Sequence, residues 1–247
     1  MFATAIEKFI QSHNYPTFCP KAILFDMDGV LMDSMKFHAK AWVESMKKSG
    51  FEFSITEAYM NEGSTGHATI NRVFIREKGR EATEEEKKRI YKLKSEFFDA
   101  CGKAERMPYA LELLQKIKAH NTEVLVVTGS GQPSLLDGLN SHFPNIFQKE
   151  KMITAFDVKH GKPHPEPYLM ALEKANVHPW EAVVVENAPM GVESSKAAGI
   201  FTIAVNTGPL DPSVLSDKGA DIVLSGIEEL YEKWDTFLQA WHNTAHS

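Results

Sequence analysis

Five short apolar runs constrain the fold more than any other feature of the chain: AILF (22–25), EVLVV (123–127), AVVV (182–185), FTIAV (201–205) and DIVL (221–224). Each is unbroken rather than alternating, as a strand buried on both faces requires. Helical patterns lie between the later runs. PYALELLQKIKAH has Pro108 in the first helical position and Leu111, Leu114 and Ile117 on one stripe. PEPYLMALEKAN and PMGVESSKAAG follow, the second closed by Gly199. Strand and helix in alternation predict an α/β fold with an open parallel sheet.

The alternation is broken once. The gap between the first two runs is too long for one crossover helix, and residues 36–105 read as helical throughout. KFHAKAWVESMKKSG carries Phe37, Ala41 and Trp42 and ends at Gly50; TINRVFIREKG groups Ile70, Val73 and Phe74. TEEEKKRIYKLKSEFFDA opens with a capping box, Thr83 to Glu86, and continues through Ile90, Leu93 and Phe97 at helical spacing. Its charge run over 84–89 is the solvated face of that helix. The predicted organisation is an N-terminal helical extension (1–19) with Ile6, Phe9 and Ile10 on one face, a sheet-bearing core (20–35 and 106–247) and an inserted helical bundle (36–105).

At 247 residues and 43% hydrophobic content the chain can bury one large core with an insertion. A net charge of −6 without a basic run argues against nucleic-acid and anionic-membrane partners. The two cysteines, Cys19 and Cys101, lack CxxC spacing, which speaks against a disulfide framework or a cysteine zinc site and for a reducing, cytoplasmic setting. The first residues show neither a basic start nor a long apolar stretch, so neither a signal peptide nor a membrane anchor is expected.

Ligands of parallel α/β sheets bind beyond the carboxyl ends of the strands, so the residue that closes each apolar run matters. Asp26 closes the first, in FDMDGVLMDS; Thr128 follows the second, in VVTGSG; Glu186 closes the third, in VVVENAP. Lys162, in HGKPHPEPY, lies in a loop that can reach the same edge. Each has an ordinary reading as a turn residue, a loop lysine or a surface carboxylate. Together they suggest phosphoryl transfer. A carboxylate can attack phosphorus, a hard divalent cation takes carboxylate and phosphate oxygens, and a lysine and a hydroxyl can hold the phosphoryl oxygens. Gly29 lets the turn approach a phosphate closely.

These motifs resemble the haloacid dehalogenase-like phosphohydrolase superfamily, in its β-phosphoglucomutase-like branch. The resemblance covers nearly all of the chain after residue 20, and the insert matches the family's small α-helical cap on a Rossmann-like core. It implies Asp26 as nucleophile, Asp28 as general acid and base with a backbone carbonyl on Mg²⁺, and Thr128 and Lys162 on the phosphoryl oxygens. It places Glu186 and Asn187 at the metal-ligand positions. A neutral, proton-donating Asp28 needs a raised pKa, which cap closure and a neighbouring carboxylate would supply. His38 sits where the family often couples cap closure to the catalytic aspartate; Gly129, Ser130, His67 and Arg72 are further candidates for substrate contact.

Two departures from the pattern matter. The acidic metal pair is Glu186-Asn187, so one oxygen ligand is kept and one negative charge lost. In the alternative reading Asn187 merely caps the helix that starts near Pro189. The arginine with which sugar-phosphate mutases hold a second phosphate is replaced by Gly66, beside His67, and no basic residue follows Thr128, where Gly131 succeeds Ser130. Arg72, a turn and a half further on, is the one substitute. The expected activity is therefore a Mg²⁺-dependent phosphatase for a small sugar or polyol phosphate, acting as a monomer or weak dimer. The competing readings are a β-phosphoglucomutase, a metal-independent dehalogenase and a non-catalytic phosphate-binding module.

Overall fold

The computed structural model describes residues 1–147 and 149–244. In chain order its elements are α1 (Phe2–His13), β1 (Ala22–Phe25), α2 (Met35–Lys48), α3 (Ile55–Met60), α4 (Gly66–Lys78), α5 (Glu84–Asp99), α6 (Ala110–Ala119), β2 (Glu123–Val127), α7 (Pro133–His142) and β3 (Met152–Ile153). Then come α8 (Glu166–Ala175), β4 (Ala182–Glu186), α9 (Pro189–Ala197), β5 (Phe201–Val205), α10 (Pro212–Asp217), β6 (Ile222–Leu224) and α11 (Ile227–Thr244). The strands form one parallel sheet in the order β3-β2-β1-β4-β5-β6. This is the Rossmann-like α/β fold that the apolar runs predicted, with α2 to α5 inserted between β1 and β2 as a helical cap. No helix among the described residues is long and apolar enough to cross a membrane.

Strand β1 sits in the middle, with Phe25 in register with Val126 on one side and Val185 on the other. Its residues feed both cores. Ile23 and Phe25 pack with α1, α6 and α11, whereas Ala22 and Leu24 pack with Tyr168 and Leu172 of α8. The cap has a hydrophobic cluster of its own around Met46, Phe51, Ile70, Phe74 and Ile90.

The differences from the sequence reading are local. Strand β3 has two residues and lies at the sheet edge, too short for an apolar run to announce. Helix α6 begins at Ala110 behind Tyr109, which adopts a left-handed conformation at φ 63°. Pro108 therefore lies before the helix, not in its first turn. In α5 the buried line is Ile90, Lys94 and Phe98, while Leu93 and Phe97 are half-buried. A hydrophobicity pattern favours leucine and phenylalanine over lysine and so turns the helix by a fraction of a turn.

Helix α1 is part of the main core. Phe2, Ile6 and Phe9 are buried, and Phe9 stands edge-on to Phe18 and Phe201 at centroid distances of 5.9 and 5.4 Å. Removing that ring leaves a cavity among other rings that cannot all move inward. Phe9→Ala is expected to cost about 3–5 kcal/mol in urea unfolding; a loss below about 1 kcal/mol would show that α1 contributes little to the core.

Candidate active site

Three strand ends and one loop converge beyond β1. Asp26 is the first residue past β1, and its amide donates to the carbonyl of Val185 at 3.0 Å, which continues the ladder by one rung. Its Oδ1 accepts from Lys162 Nζ at 2.5 Å. The same ammonium donates to Glu186 Oε1 at 2.6 Å and to the carbonyl of Val127 at 2.9 Å. Lys162 is 1% exposed, Asp26 2% and Glu186 0%, so this is a buried ion cluster rather than a surface pair. Burial opposes the Lys162 ammonium, but Asp26 and Glu186 outweigh it and hold its pKa above the ordinary lysine value. Burial pushes the Asp26 carboxyl up to about 8; Lys162 works against this, while Glu186 and Asp28 add to it.

Glu186 uses both oxygens on the protein. Oε1 also accepts from the Tyr168 hydroxyl at 2.8 Å, and Oε2 accepts the amides of Asn187 and Ala188 at 3.0 and 3.1 Å. Gly191 lies directly against this carboxylate, where any side chain would collide with it.

Asp28 anchors a second group. Oδ1 accepts from Ser34 Oγ at 2.5 Å and lies 3.0 Å from His38 Nε2. On the far side of the ring, Lys94 Nζ is 2.7 Å from His38 Nδ1. An ammonium can only donate, so Nδ1 accepts and Nε2 carries the proton that faces Asp28. Burial and Lys94 lower the pKa of His38 despite Asp28, which agrees with a neutral ring. Lys94 is 2% exposed and lies 4.9 to 5.8 Å from the ring centroids of Phe98, Tyr91 and Trp42. Burial pulls it down to about 8, against Asp28 and Asp99. Burial alone would raise Asp28, but His38, Ser34 and Lys94 overcome it, and its pKa lies below the ordinary carboxylate value. The expected raised value is thus corrected: the closed cap brings donors to Asp28 that favour its charged form.

Thr128 Oγ1 donates toward Asp28 Oδ2 at 3.4 Å and accepts the Ser130 amide at 2.9 Å. Gly129 and Ser130 line the same pocket as Asp26 and Asp28. Gly129 packs against the Gly63 carbonyl of the cap loop so tightly that a Cβ would overlap it, so the cap rests closed on the core. His67 and Arg72 lie elsewhere. His67 is exposed, edge-on to Tyr91 at 6.2 Å, and shares an outer cleft with Lys87, His160 and His164. Arg72 donates to Asn61 Oδ1 at 2.7 Å and Ser64 Oγ at 2.6 Å, which braces the cap loop. Neither lines the pocket of Asp26, because one points outward and the other is held by its own loop.

Asn187 does not cap α9; the N-cap is Ala188, without a side-chain bond. Its Nδ2 donates to Glu62 Oε1 of the cap and to Thr207 Oγ1, both at 3.3 Å. Thr207 in turn donates to the Gly29 carbonyl at 2.6 Å. This fixes the amide, and Oδ1 is left buried without a hydrogen-bond partner. An orphaned, oriented amide oxygen next to the Glu186 strand end suits a hard cation. Among the described residues no three His, Cys, Asp and Glu side chains are grouped as a metal cluster.

Glu62 and Lys94 escaped the sequence reading. Burial, reinforced by Asp26, Asp28 and Glu186, pushes Glu62 well above the usual carboxylate range despite Asn187. Lys94 had one usable signal, its spacing of four from both Ile90 and Phe98. Glu62 had none.

The sheet, the strand-end cluster and the helical cap define a class, and the comparisons with known proteins agree. The chain belongs to the haloacid dehalogenase-like hydrolases, whose family model matches residues 23–205. It is 30% identical over 210 residues to hexitol phosphatase A of Escherichia coli (strain K12), covering 85% of this chain and 93% of that one. It is likewise 30% identical over 184 residues to a phosphorylated carbohydrates phosphatase of Thermotoga maritima, with 74% and 83% covered. Among solved structures, "Putative beta-phosphoglucomutase from Bacteroides vulgatus" superposes with a TM-score of 0.94 at 55% identity, over 97% of this chain and 98% of that one.

Lys94 yields a pH test. It titrates near 8 when folded and near 10.5 when free. Between these values the unfolded chain holds the extra proton, so folding gains stability as pH rises and loses it as pH falls through 8. Relative to Lys94→Met, the parent is expected to gain up to about 3 kcal/mol across that window, read from urea midpoints at its two ends. Parallel profiles for the two proteins would show that Lys94 is not desolvated.

Proposed function

We propose that the chain is a Mg²⁺-dependent phosphatase for a small sugar or polyol monophosphate, working through an aspartyl-phosphate on Asp26. The observation that carries the reading is the Asp26–Lys162–Glu186 cluster at the end of the central strand, faced by Asp28 with its own row of proton carriers. Residues 20–35 and 106–247 form the catalytic core, 36–105 the cap and 1–19 an extension. The phosphatase names of the relatives in Escherichia coli and Thermotoga maritima support the substrate class. A cytoplasmic monomer or weak dimer is the accompanying reading.

An Asp26 oxygen attacks phosphorus, and the bond from phosphorus to the ester oxygen breaks. Lys162 holds the phosphoryl charge together with the Thr128 hydroxyl. The leaving oxygen takes its proton through Asp28: His38 Nε2 gives its proton to Asp28 as Lys94 gives one to Nδ1, and Asp28 passes the proton on and is left as a carboxylate. In the second step Asp28 takes a proton from water, which attacks phosphorus and releases Asp26. The closed cap keeps bulk water from the first step. Mg²⁺ would be held by Asp26, the backbone carbonyl of Asp28 and Asn187, with Glu186 beside them. It would supply the positive charge that keeps Asp26 ionised and draws electrons from the phosphoryl group.

A phosphate-release screen over sugar, polyol and nucleotide monophosphates in Mg²⁺ tests the reading, with β-glucose 1-phosphate plus bisphosphate as the mutase arm. Asp26→Asn is expected to lose phosphate release by at least about a thousandfold; full release by that variant would remove Asp26 as nucleophile. Asn187→Asp tests the metal position. It gives up both Nδ2 donations and sets a carboxylate against Glu62, so without metal it is expected to be less stable by about 1–3 kcal/mol. On adding Mg²⁺ its melting temperature should rise more than the parent's. Equal rises would place the cation away from residue 187.

A further inference from the structure

The pocket of Asp26 and Asp28 has a wall that no catalytic step uses. Tyr91, on α5 of the cap, lies directly against Gly66 at the start of α4. A Cβ on Gly66 would overlap both Cδ2 and Cε2, at the ring's edge, and lie 3.4 Å from Cζ, too close for any side chain there. The ring therefore fills the space through which a side chain at position 66 would enter the pocket. Its hydroxyl reaches the core, where the Gly131 amide is its hydrogen-bonding neighbour. A Cβ on Gly131 would lie 3.3 Å from that hydroxyl and 3.1 Å from Cζ of Phe156. Position 131 is thus bordered on the cap side by Tyr91 and on the outside by the exposed Phe156 ring.

The wall carries no charge, and the rest of the pocket offers none that is free. Its acidic members are Asp26, Asp28 and Glu62, and its one cation is Lys94. Lys94 is bound to His38 and enclosed by three rings. A second phosphate on the substrate would have to lose its hydration without gaining a cation. A neutral polyhydroxylated group would meet Trp42 and Tyr91 on its apolar faces and Asn61, Ser64 and Glu62 on its hydroxyls.

We infer that Tyr91, wedged between Gly66 and Gly131, is a specificity-determining residue that restricts the site to monophosphates with an uncharged sugar or polyol remainder and excludes a second phosphate. The inference rests on the phosphatase reading for the reaction but not for its test, because the wedge acts on binding. The same geometry disfavours a mutase, whose bisphosphate intermediate would have to fit this wall.

Binding is measured by calorimetry in Mg²⁺ on the full-length Asp26→Asn protein, in which turnover is expected to be at least about a thousandfold slower. The ligands are sorbitol 6-phosphate and sorbitol 1,6-bisphosphate, which share a carbon chain and differ by one phosphate. The monophosphate is expected to bind at least about tenfold tighter. Adding Tyr91→Ala should shrink that ratio at least about fivefold, mainly by improving the bisphosphate, while Tyr91→Phe should preserve it because the ring provides the wedge. Equal affinities for the two ligands in Asp26→Asn overturn the inference, whatever the Tyr91 variants do. So does a ratio that Tyr91→Ala leaves unchanged. Phosphate release by the parent is scored separately: its absence with selective binding intact would remove the phosphatase reading and leave the wedge standing.

Discussion

The ammonium of Lys162 is the interaction on which the site depends. Two carboxylates, Asp26 and Glu186, stand at neighbouring strand ends with almost no access to water. Without a cation between them, each would carry a desolvation penalty of several kcal/mol as well as the repulsion of the other. Lys162 answers both and adds a third bond to the Val127 carbonyl of β2. One side chain from the loop before α8 thus ties together the ends of β1, β2 and β4. The arrangement limits its neighbours too. Tyr168 must offer a hydroxyl to Glu186, and Gly191 must stay bare beside it.

The cap repeats this solution on a smaller scale. Asp28 is also a buried carboxylate, and the groups that satisfy it come largely from the insert: Ser34 at its threshold, His38 on α2 and Lys94 on α5 behind the ring. Because Lys94 donates to His38 and His38 to Asp28, a displaced cap would strip the aspartate of one donor and leave the lysine buried among rings. Closure and the protonation of Asp28 are therefore linked by geometry. The seam carries few bulky side chains, since Gly63 lies against Gly129 and Thr65 against Gly161 with no room for a Cβ on the core side.

Much of the fold was legible because buried parallel strands leave no polar gaps. The five apolar runs correspond to five of the six strands, and the missing one has two residues. Asp26, Thr128 and Glu186 were legible as site candidates for a related reason: a polar residue that closes an apolar run must lie at the sheet's carboxyl edge. Cap residues lack such a rule. Lys94 occupies a core position on α5, where a period count assigns leucine and phenylalanine instead. Glu62 and Tyr91 matter only because the closed cap carries them to a sheet edge distant in sequence. The position of Asp28 could be read, but its charge state depends on partners at residues 34, 38 and 94, and the sequence reading put its pKa on the wrong side of the ordinary value.

The exchange of a carboxylate for an amide at residue 187 fits its surroundings. An aspartate there would face Glu62 across the seam, with Asp26, Asp28 and Glu186 close by, and each buried negative charge added to such a set raises the cost of the others. An asparagine keeps one oxygen for a cation and gains a nitrogen with two hydrogens. Glu62 and the Thr207 hydroxyl take both. The Thr207 hydroxyl also decides which way the amide turns, since the reverse orientation would set the amide oxygen against a hydroxyl whose own hydrogen is committed to Gly29. The core thus gives up one charge at the position proposed for the cation, and the cap supplies a carboxyl group that takes one hydrogen of the amide.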